Sequence, residues 1–150
     1  MTLFKHILVP TDGSDISDRA GNTAVALAQS TGARMTAMHV IPPYLPPMPD
    51  VATGFTYAMT EEEYERATRE QSNEMLSRIK ERATDCGVAC DSAIVVDNSP
   101  WDAIIRTAVQ RKCDAIVMAS HGRKGLAGLL LGSETTKVLT HCTIPVLVTR

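Results

Sequence analysis

Short apolar runs alternate with longer stretches of helical periodicity along the whole chain, and this alternation constrains the fold more than any single motif. Phe4–Val9 reads as a buried strand closed by Pro10. Thr11-Asp12-Gly13-Ser14 is a turn, with Ser14 or Asp15 placed to cap a helix. Ile16, Ala20, Ala24 and Leu27 then share one helical stripe, which Gly32 stops. Arg34–Ile41 is a second strand. The next helix opens with Thr60-Glu61-Glu62-Glu63, a capping box, and carries Tyr64, Ala67, Gln71, Met75, Ile79, Ala83 and Cys86 on one side before Gly87. A third strand lies within Val88–Val96. Ser99 caps a third helix with Pro100 in its first turn, and Trp101, Ile104, Ile105, Ala108 and Val109 form its buried stripe. Asp114–Ala119 is a fourth strand, a last helix carries Val138, Leu139 and Cys142, and Ile144–Val148 is a fifth strand. Strands that alternate with helices imply a parallel sheet covered on both faces. Right-handed crossovers then give one doubly wound α/β layer, a single domain over residues 1–150.

In such a sheet, ligands bind beyond the carboxyl ends of the strands, where the strand order reverses. Two polar strand ends qualify here: Thr11-Asp12-Gly13 after the first strand and Ser120-His121-Gly122 after the fourth. The second opens a glycine-rich stretch that runs to the helix starting near Gly132-Ser133. Glycines let backbone N–H groups approach an anion, and a helix N-terminus adds free N–H groups and a positive dipole end. Strand, glycine loop and helix thus make a phosphate cradle. Neither common phosphate-loop spacing is present, and a flexible loop before an ordinary helix fits the spacing as well. If the two loops face each other, the cradle and Ser133 would hold phosphates, Asp12 would accept from ribose hydroxyls, and the backbone at Val40 would meet the base. Asp12 also reads as a turn residue bonded to its own backbone. Arg123 and Lys124 are either phosphate contacts or solvated charges. His121 is no candidate base, because no nucleophile–base pair is legible near it. Its plain role is to shape the turn. No catalytic residue is assigned.

Composition narrows the partners. With 15 Lys and Arg against 17 Asp and Glu, and no basic face, the chain is not built for nucleic acid. No apolar run approaches the roughly 18 residues of a membrane span. The first ten residues run straight into a strand pattern, so a secretory leader is not expected and the cytoplasm is. Cys86, Cys90, Cys113 and Cys142 lack zinc spacing and read as reduced, mostly buried thiols, with no metal site.

Pro42–Met59 stands apart. It holds five of the eight prolines, together with Tyr44, Phe55, Tyr57 and two Met, Met48 and Met59. Irregular segments of this length tend to be functional, and it reads as a mobile flap beside the site or a partner interface rather than a linker.

Taken together, these residues resemble the universal stress protein family along essentially the whole chain. The resemblance rests on Ile7-Leu8-Val9-Pro10-Thr11-Asp12-Gly13-Ser14, on Met38-His39-Val40, and on Ile144-Pro145-Val146-Leu147-Val148. Its most specific part is the nucleotide signature G-x2-G-x9-G-[ST], which here reads Ala119-x2-Gly122-x9-Gly132-Ser133. Ala119 departs from the signature's first glycine. It costs on the order of 1 kcal/mol if that position needs positive φ, and nothing if the residue keeps strand dihedrals.

The resemblance implies a Rossmann-like five-stranded sheet in the order 3-2-1-4-5 and membership of the ATP-binding branch. It also implies a homodimer paired through the terminal strand, Ile144–Thr149. The implied nucleotide set takes Pro10, Thr11, Asp12 and Val40 from the first two strand ends. Met118, Ala119, His121, Gly122 and Arg123 come from the fourth strand and its loop, and Gly132, Ser133, Glu134 and Thr135 from the helix start. The ligand is ATP, with ADP or AMP as alternatives and Mg²⁺ accompanying the phosphates. Three functions fit. The first is a stress-response switch or binding module with at most weak ATPase activity. Another is a dimeric partner-binding protein with no nucleotide. The third is a slow Mg²⁺-dependent ATPase or phosphotransferase that uses Asp12. A protein partner stays open.

Overall fold

Pro10 and Gly32 close the first strand and the first helix as expected, and so fix the first crossover. The computed structural model describes residues 2–48, 52, 58–123 and 131–150. In chain order the elements are β1 (His6–Pro10), α1 (Asp15–Thr31), β2 (Arg34–Ile41), α2 (Glu61–Asp85), β3 (Cys90–Val96), α3 (Pro100–Gln110), β4 (Ala115–Ala119), α4 (Ser133–His141) and β5 (Val146–Thr149). The five strands form one parallel sheet in the order β3-β2-β1-β4-β5. The order reverses between β1 and β4.

Alternate residues of each central strand feed opposite cores, as the period of two demands. Ile7, Val9, Met35, Ala37 and Val117 pack with Ala24, Leu76 and Ile79 of α1 and α2. Leu8, Met38, Ile116 and Met118 pack with Ile104, Ala108 and Val138 of α3 and α4. Gly32 ends α1 at φ +70°, a backbone that glycine adopts without strain. Gly13 is the other glycine whose conformation matters here. At φ +78°, a Cβ on it would lie 2.8 Å from the Met75 sulfur, so its bareness lets α2 press onto the β1–α1 turn.

Several details differ from the sequence reading. The α2 stripe is buried at Ser72, Met75, Leu76, Ile79 and Ala83, while Ala67, Gln71 and Cys86 are exposed. The first turns of α2 are largely exposed, so periodicity there has no burial to report. In α3, Ala103 and Thr107 are buried with Ile104 and Ala108, and Val109 is 62% exposed, because the buried face is rotated from the expected stripe. Ser99 holds the cap position of α3, but its side chain makes no cap bond. Asp97 instead accepts from the Ser99 amide at 2.8 Å, and Arg106 pairs with Asp97 and Asp102. In α4 the buried residues are Thr135 and Val138, and Leu139 is exposed. β1 starts at His6 and β5 at Val146, one residue past Pro145, which has no N–H to give a ladder. Of the four cysteines only Cys113 is buried, and burial pushes its thiol up to about 11. Cys90 and Cys142 are half-buried and Cys86 is exposed.

The proline-rich segment is tied to α2 at its first residue and closed on itself between its two ends. The Tyr64 hydroxyl donates to the Pro42 carbonyl at 2.6 Å and the Tyr44 hydroxyl to the Met59 carbonyl at 2.7 Å, with the two rings 5.5 Å apart. Phe55 and Tyr57 of the expected flap lie outside the described residues. No helix among the described residues is long and apolar enough to cross a membrane.

Candidate functional site

The site begins with a proline. On β1, His6 accepts from Asp114 on the β4 side, and Thr11 donates to Met38 on the β2 side. Alternation then turns Leu8 and Pro10 toward β4. Pro10 has no N–H, so it gives that ladder no donor. The β1–β4 register holds at Ile7–Ala115 and Leu8–Ile116 and no further. Beyond these pairs the neighbouring strands part, and a crevice opens at the point of strand reversal.

On the β2 wall, Arg34 donates to Lys5 and Met38 accepts from Thr11, while Met35 and Ile41 bond toward β3. Even-numbered residues of β2 therefore aim their amides at β1. The last bond on that side is Thr11 N–H to the Met38 carbonyl at 2.8 Å. Val40, two residues on, turns an N–H and a C=O into the crevice, and its side chain packs into the α3–α4 core. His39, which enters the sequence reading only within the family match and not among the site residues, donates from Nδ1 to the Thr11 carbonyl at 2.7 Å and anchors the β1–α1 turn. Since a carbonyl can only accept, the Nδ1–H tautomer is fixed. A polar residue between apolar Met38 and Val40 was the available signal.

Asp12 spans the crevice. Its Oδ1 accepts from the Ser14 amide at 3.0 Å, the Ser14 hydroxyl at 2.5 Å and the Ser17 hydroxyl at 3.0 Å. Its Oδ2 accepts from the Arg123 amide at 2.7 Å. Burial pushes this carboxyl up, but the bonds from Ser14, Arg123 and Ser17 outweigh it and hold the group below the usual carboxylate range. Asp12 thus caps its own turn, as the turn reading has it, and also reaches the opposite loop. Gly122 makes the reach feasible, because a Cβ there would lie 2.5 Å from Oδ2. Thr11 faces inward, with its hydroxyl 3.0 Å from the Ser17 hydroxyl and accepting from the Gly13 amide at 3.1 Å.

The β4 side closes on itself. The Gly132 amide donates to the Ser120 carbonyl at 2.6 Å, and a Cβ on Gly132 would meet the His121 Cα at 3.1 Å, so the two ends of the loop touch. The Thr135 hydroxyl donates to the Ala119 carbonyl at 2.9 Å. Ala119 is a strand residue paired with Thr149 and has no positive φ. Its methyl packs on Ile16 and Ala20 of α1. Alanine there carries no backbone strain. Met118 gives its side chain to the core. His121 Nδ1 sits 3.1 Å from the neighbouring Ser120 hydroxyl.

Gly132 is the N-cap of α4, and no side chain among the described residues caps that helix. The amides of its first turn are left for another acceptor. Ser133 is exposed at the first helical position. Glu134 points away from the loop: it accepts from the Trp101 amide at the start of α3 at 2.8 Å and lies 3.7 Å from Lys137. Among the described residues, the crevice therefore combines a peptide edge at Val40 with no partner strand on the β1 side, a carboxylate, and an uncapped helix N-terminus. Lys124 and the loop glycines after Arg123 lie outside the described residues.

The universal stress protein family matches residues 3–150. The chain belongs to this family. Among curated universal stress proteins, one from Thermus aquaticus, encoded in the QAH/OAS sulfhydrylase 3′ region, is 33% identical over 149 residues, covering 99% of this chain and 100% of its own length. Among solved structures, MJ0577 of Methanocaldococcus jannaschii superposes with a TM-score of 0.79 at 28% identity, covering 98% of this chain and 96% of its own. A universal stress protein in complex with cAMP superposes with a TM-score of 0.70 at 25% identity, over 98% of this chain and 97% of that one. A universal stress protein of Archaeoglobus fulgidus, solved with dAMP, shares the fold at 20% identity and a TM-score of 0.66, each chain covered in full. The sheet order expected of a universal stress protein, 3-2-1-4-5, is the order found.

Proposed function

We propose that this universal stress protein binds an adenine nucleotide in the β1–β4 crevice and acts as a cytoplasmic switch or binding module with little or no catalysis. The carrying observation is the convergence of three unlike groups where β1 and β4 part. The Val40 amide offers a donor and an acceptor to a base edge. Asp12 offers an acceptor to ribose hydroxyls. The uncapped start of α4, with Gly122, Arg123, Gly132 and Ser133 beside it, offers N–H groups to phosphates. The cAMP complex of a relative supports the ligand class. ATP is the favoured ligand, with ADP and AMP as alternatives and Mg²⁺ accompanying the phosphates.

The weak-catalysis part rests on the acids and bases present. Asp12 is held below the usual carboxylate range with one oxygen already accepting three bonds, which makes it a poor general base. The protein acts as a homodimer paired through Ile144–Thr149, the apolar terminal edge.

Calorimetric titration of nucleotide-stripped protein with ATP, ADP, AMP and cAMP, with and without Mg²⁺, tests this reading. Micromolar binding of at least one nucleotide is expected, weakened in Gly122→Ala, where the methyl displaces the Asp12 carboxylate. Absence of binding to all four would sink it.

A further inference from the structure

We propose that Asp12 makes the crevice selective for nucleotides over free polyphosphates, by competing with phosphate for the Arg123 amide until a ribose hydroxyl takes over its carboxylate. The inference deepens the nucleotide-binding reading and rests on it.

Three features serve one contact. The bond from the Arg123 amide to Oδ2, at 2.7 Å, lies at the short end for an N–H donor to a carboxylate. The donors on Oδ1 fix the plane of the carboxylate, so Oδ2 is aimed rather than free to swing. A Cβ on Gly122 would lie 2.5 Å from Oδ2, so the bare glycine permits the approach. Arg123 follows Gly122 on the wall where the proposed phosphates would lie, so its amide is one that a bound phosphate would take. One N–H cannot serve both anions at full strength, so phosphate entry breaks the bond to Asp12.

The energetic consequence depends on the ligand. A polyphosphate takes the Arg123 amide and leaves Oδ2 without its partner in a partly buried place, which is costly for a charged group. It also adds negative charge beside the uncompensated carboxylate. A nucleotide brings a hydroxyl donor as well as a phosphate, so both partners of the broken bond are satisfied again. The clasp thus penalises a ligand that supplies only one half of the exchange.

The test compares inorganic tripolyphosphate with ATP on the wild-type chain, Asp12→Ala and Asp15→Asn. The last removes an exposed carboxylate from the start of α1 and controls for net charge. In Asp12→Ala, tripolyphosphate should bind about tenfold more tightly, the scale set by a charge-assisted hydrogen bond. ATP should gain nothing, so that selectivity collapses, and Asp15→Asn should shift both ligands alike and weakly. Tripolyphosphate affinity unchanged in Asp12→Ala, or changed only as in Asp15→Asn, overturns the proposal.

A second measurement needs no variant. In the wild-type chain, saturating tripolyphosphate should shift the Arg123 amide resonance and the Asp12 carboxyl carbon together. If neither moves at saturation, there is no exchange and the proposal is wrong. Wild-type protein that binds no nucleotide would end the functional reading. The proposal would end with it, whereas nucleotide binding with tripolyphosphate affinity unchanged in Asp12→Ala would end the proposal alone.

Discussion

At the scale of single residues, two positions carry more than their size suggests. Gly13 combines positive φ with a gap against the Met75 thioether. Alanine there pays twice, in αL strain and in a forced shift of Met75. Gly13→Ala should lower stability by roughly 1–3 kcal/mol, read as a drop in the denaturant midpoint at unchanged slope. A neutral outcome would mean that α2 is free to move off the turn. His6 is 4% exposed, with Nδ1 donating to the Arg111 carbonyl at 3.1 Å and Nε2 2.8 Å from the Thr36 hydroxyl. Desolvation, and then Arg34, push its pKa below the ordinary 6.5, against the pull of the Arg111 carbonyl and Asp114. The unfolded chain therefore takes up this proton first as pH falls. Stability should decline as pH drops below about 6.5 and level off once the folded His6 also protonates, a slope of at most one proton. His6→Gln should remove that component, measured as unfolding free energy against pH between about 7 and 5. A slope that survives the substitution would assign it to another group.

Among elements, α2 separates what a sequence can reveal from what it cannot. Its start was legible, because the capping box is a local contact: the Thr60 hydroxyl accepts from the Glu63 amide, and the Glu63 carboxylate accepts from the Thr60 amide. Its buried face was legible only from Met75 onward, where α1 and the sheet lie beneath it. Ala67 and Gln71 fit the period equally well but face solvent, and periodicity cannot tell how far a helix outruns its support. Strand order was accessible through the family resemblance, and the facing strand ends through the alternating runs and the switch-point rule. The crossed contacts were not: Asp12 to Arg123 spans 111 positions and Glu134 to Trp101 spans 33, and no local rule pairs them. The same division predicts how α2 fails. Thr60→Ala removes a cap worth about 1 kcal/mol, but from turns that bury little. Amide exchange should accelerate over residues 61–66 while global unfolding moves little. An equal loss in both would show that the first turns fold with the core.

On the scale of the whole molecule, the sheet has two open edges among the described residues, and the backbone says how each could pair. On β5, the carbonyls of Pro145 and Thr149 accept from β4, so Val146 and Val148 turn their amides outward. On β3, Ala89 and Asp97 bond to β2, so Cys90, Ser92, Ile94 and Val96 face outward. Unpaired edges invite a partner strand, and pairing an edge with its own copy in a two-fold dimer covers it. The β5 edge has the apolar surroundings such a dimer needs, with Leu147 45% and Leu139 41% exposed beside it. Val148→Pro is the sharpest probe, because it deletes an outward N–H while leaving the inward ladder of Leu147 and Thr149 to β4 intact. If the dimer forms through β5, this variant should be monomeric at protein concentrations where the wild type sediments as a dimer, and Ile94→Pro on the opposite edge should remain dimeric. The reverse result would move the interface to β3. The β5 pairing also touches the crevice, since Ser120 donates to the Thr149 carbonyl at 2.7 Å and Ala119 pairs with Thr149. Loss of the partner strand should therefore loosen the start of the loop, so that monomeric Val148→Pro binds nucleotide more weakly than the dimer. Equal affinity in monomer and dimer would mean that β4 alone holds the loop in place.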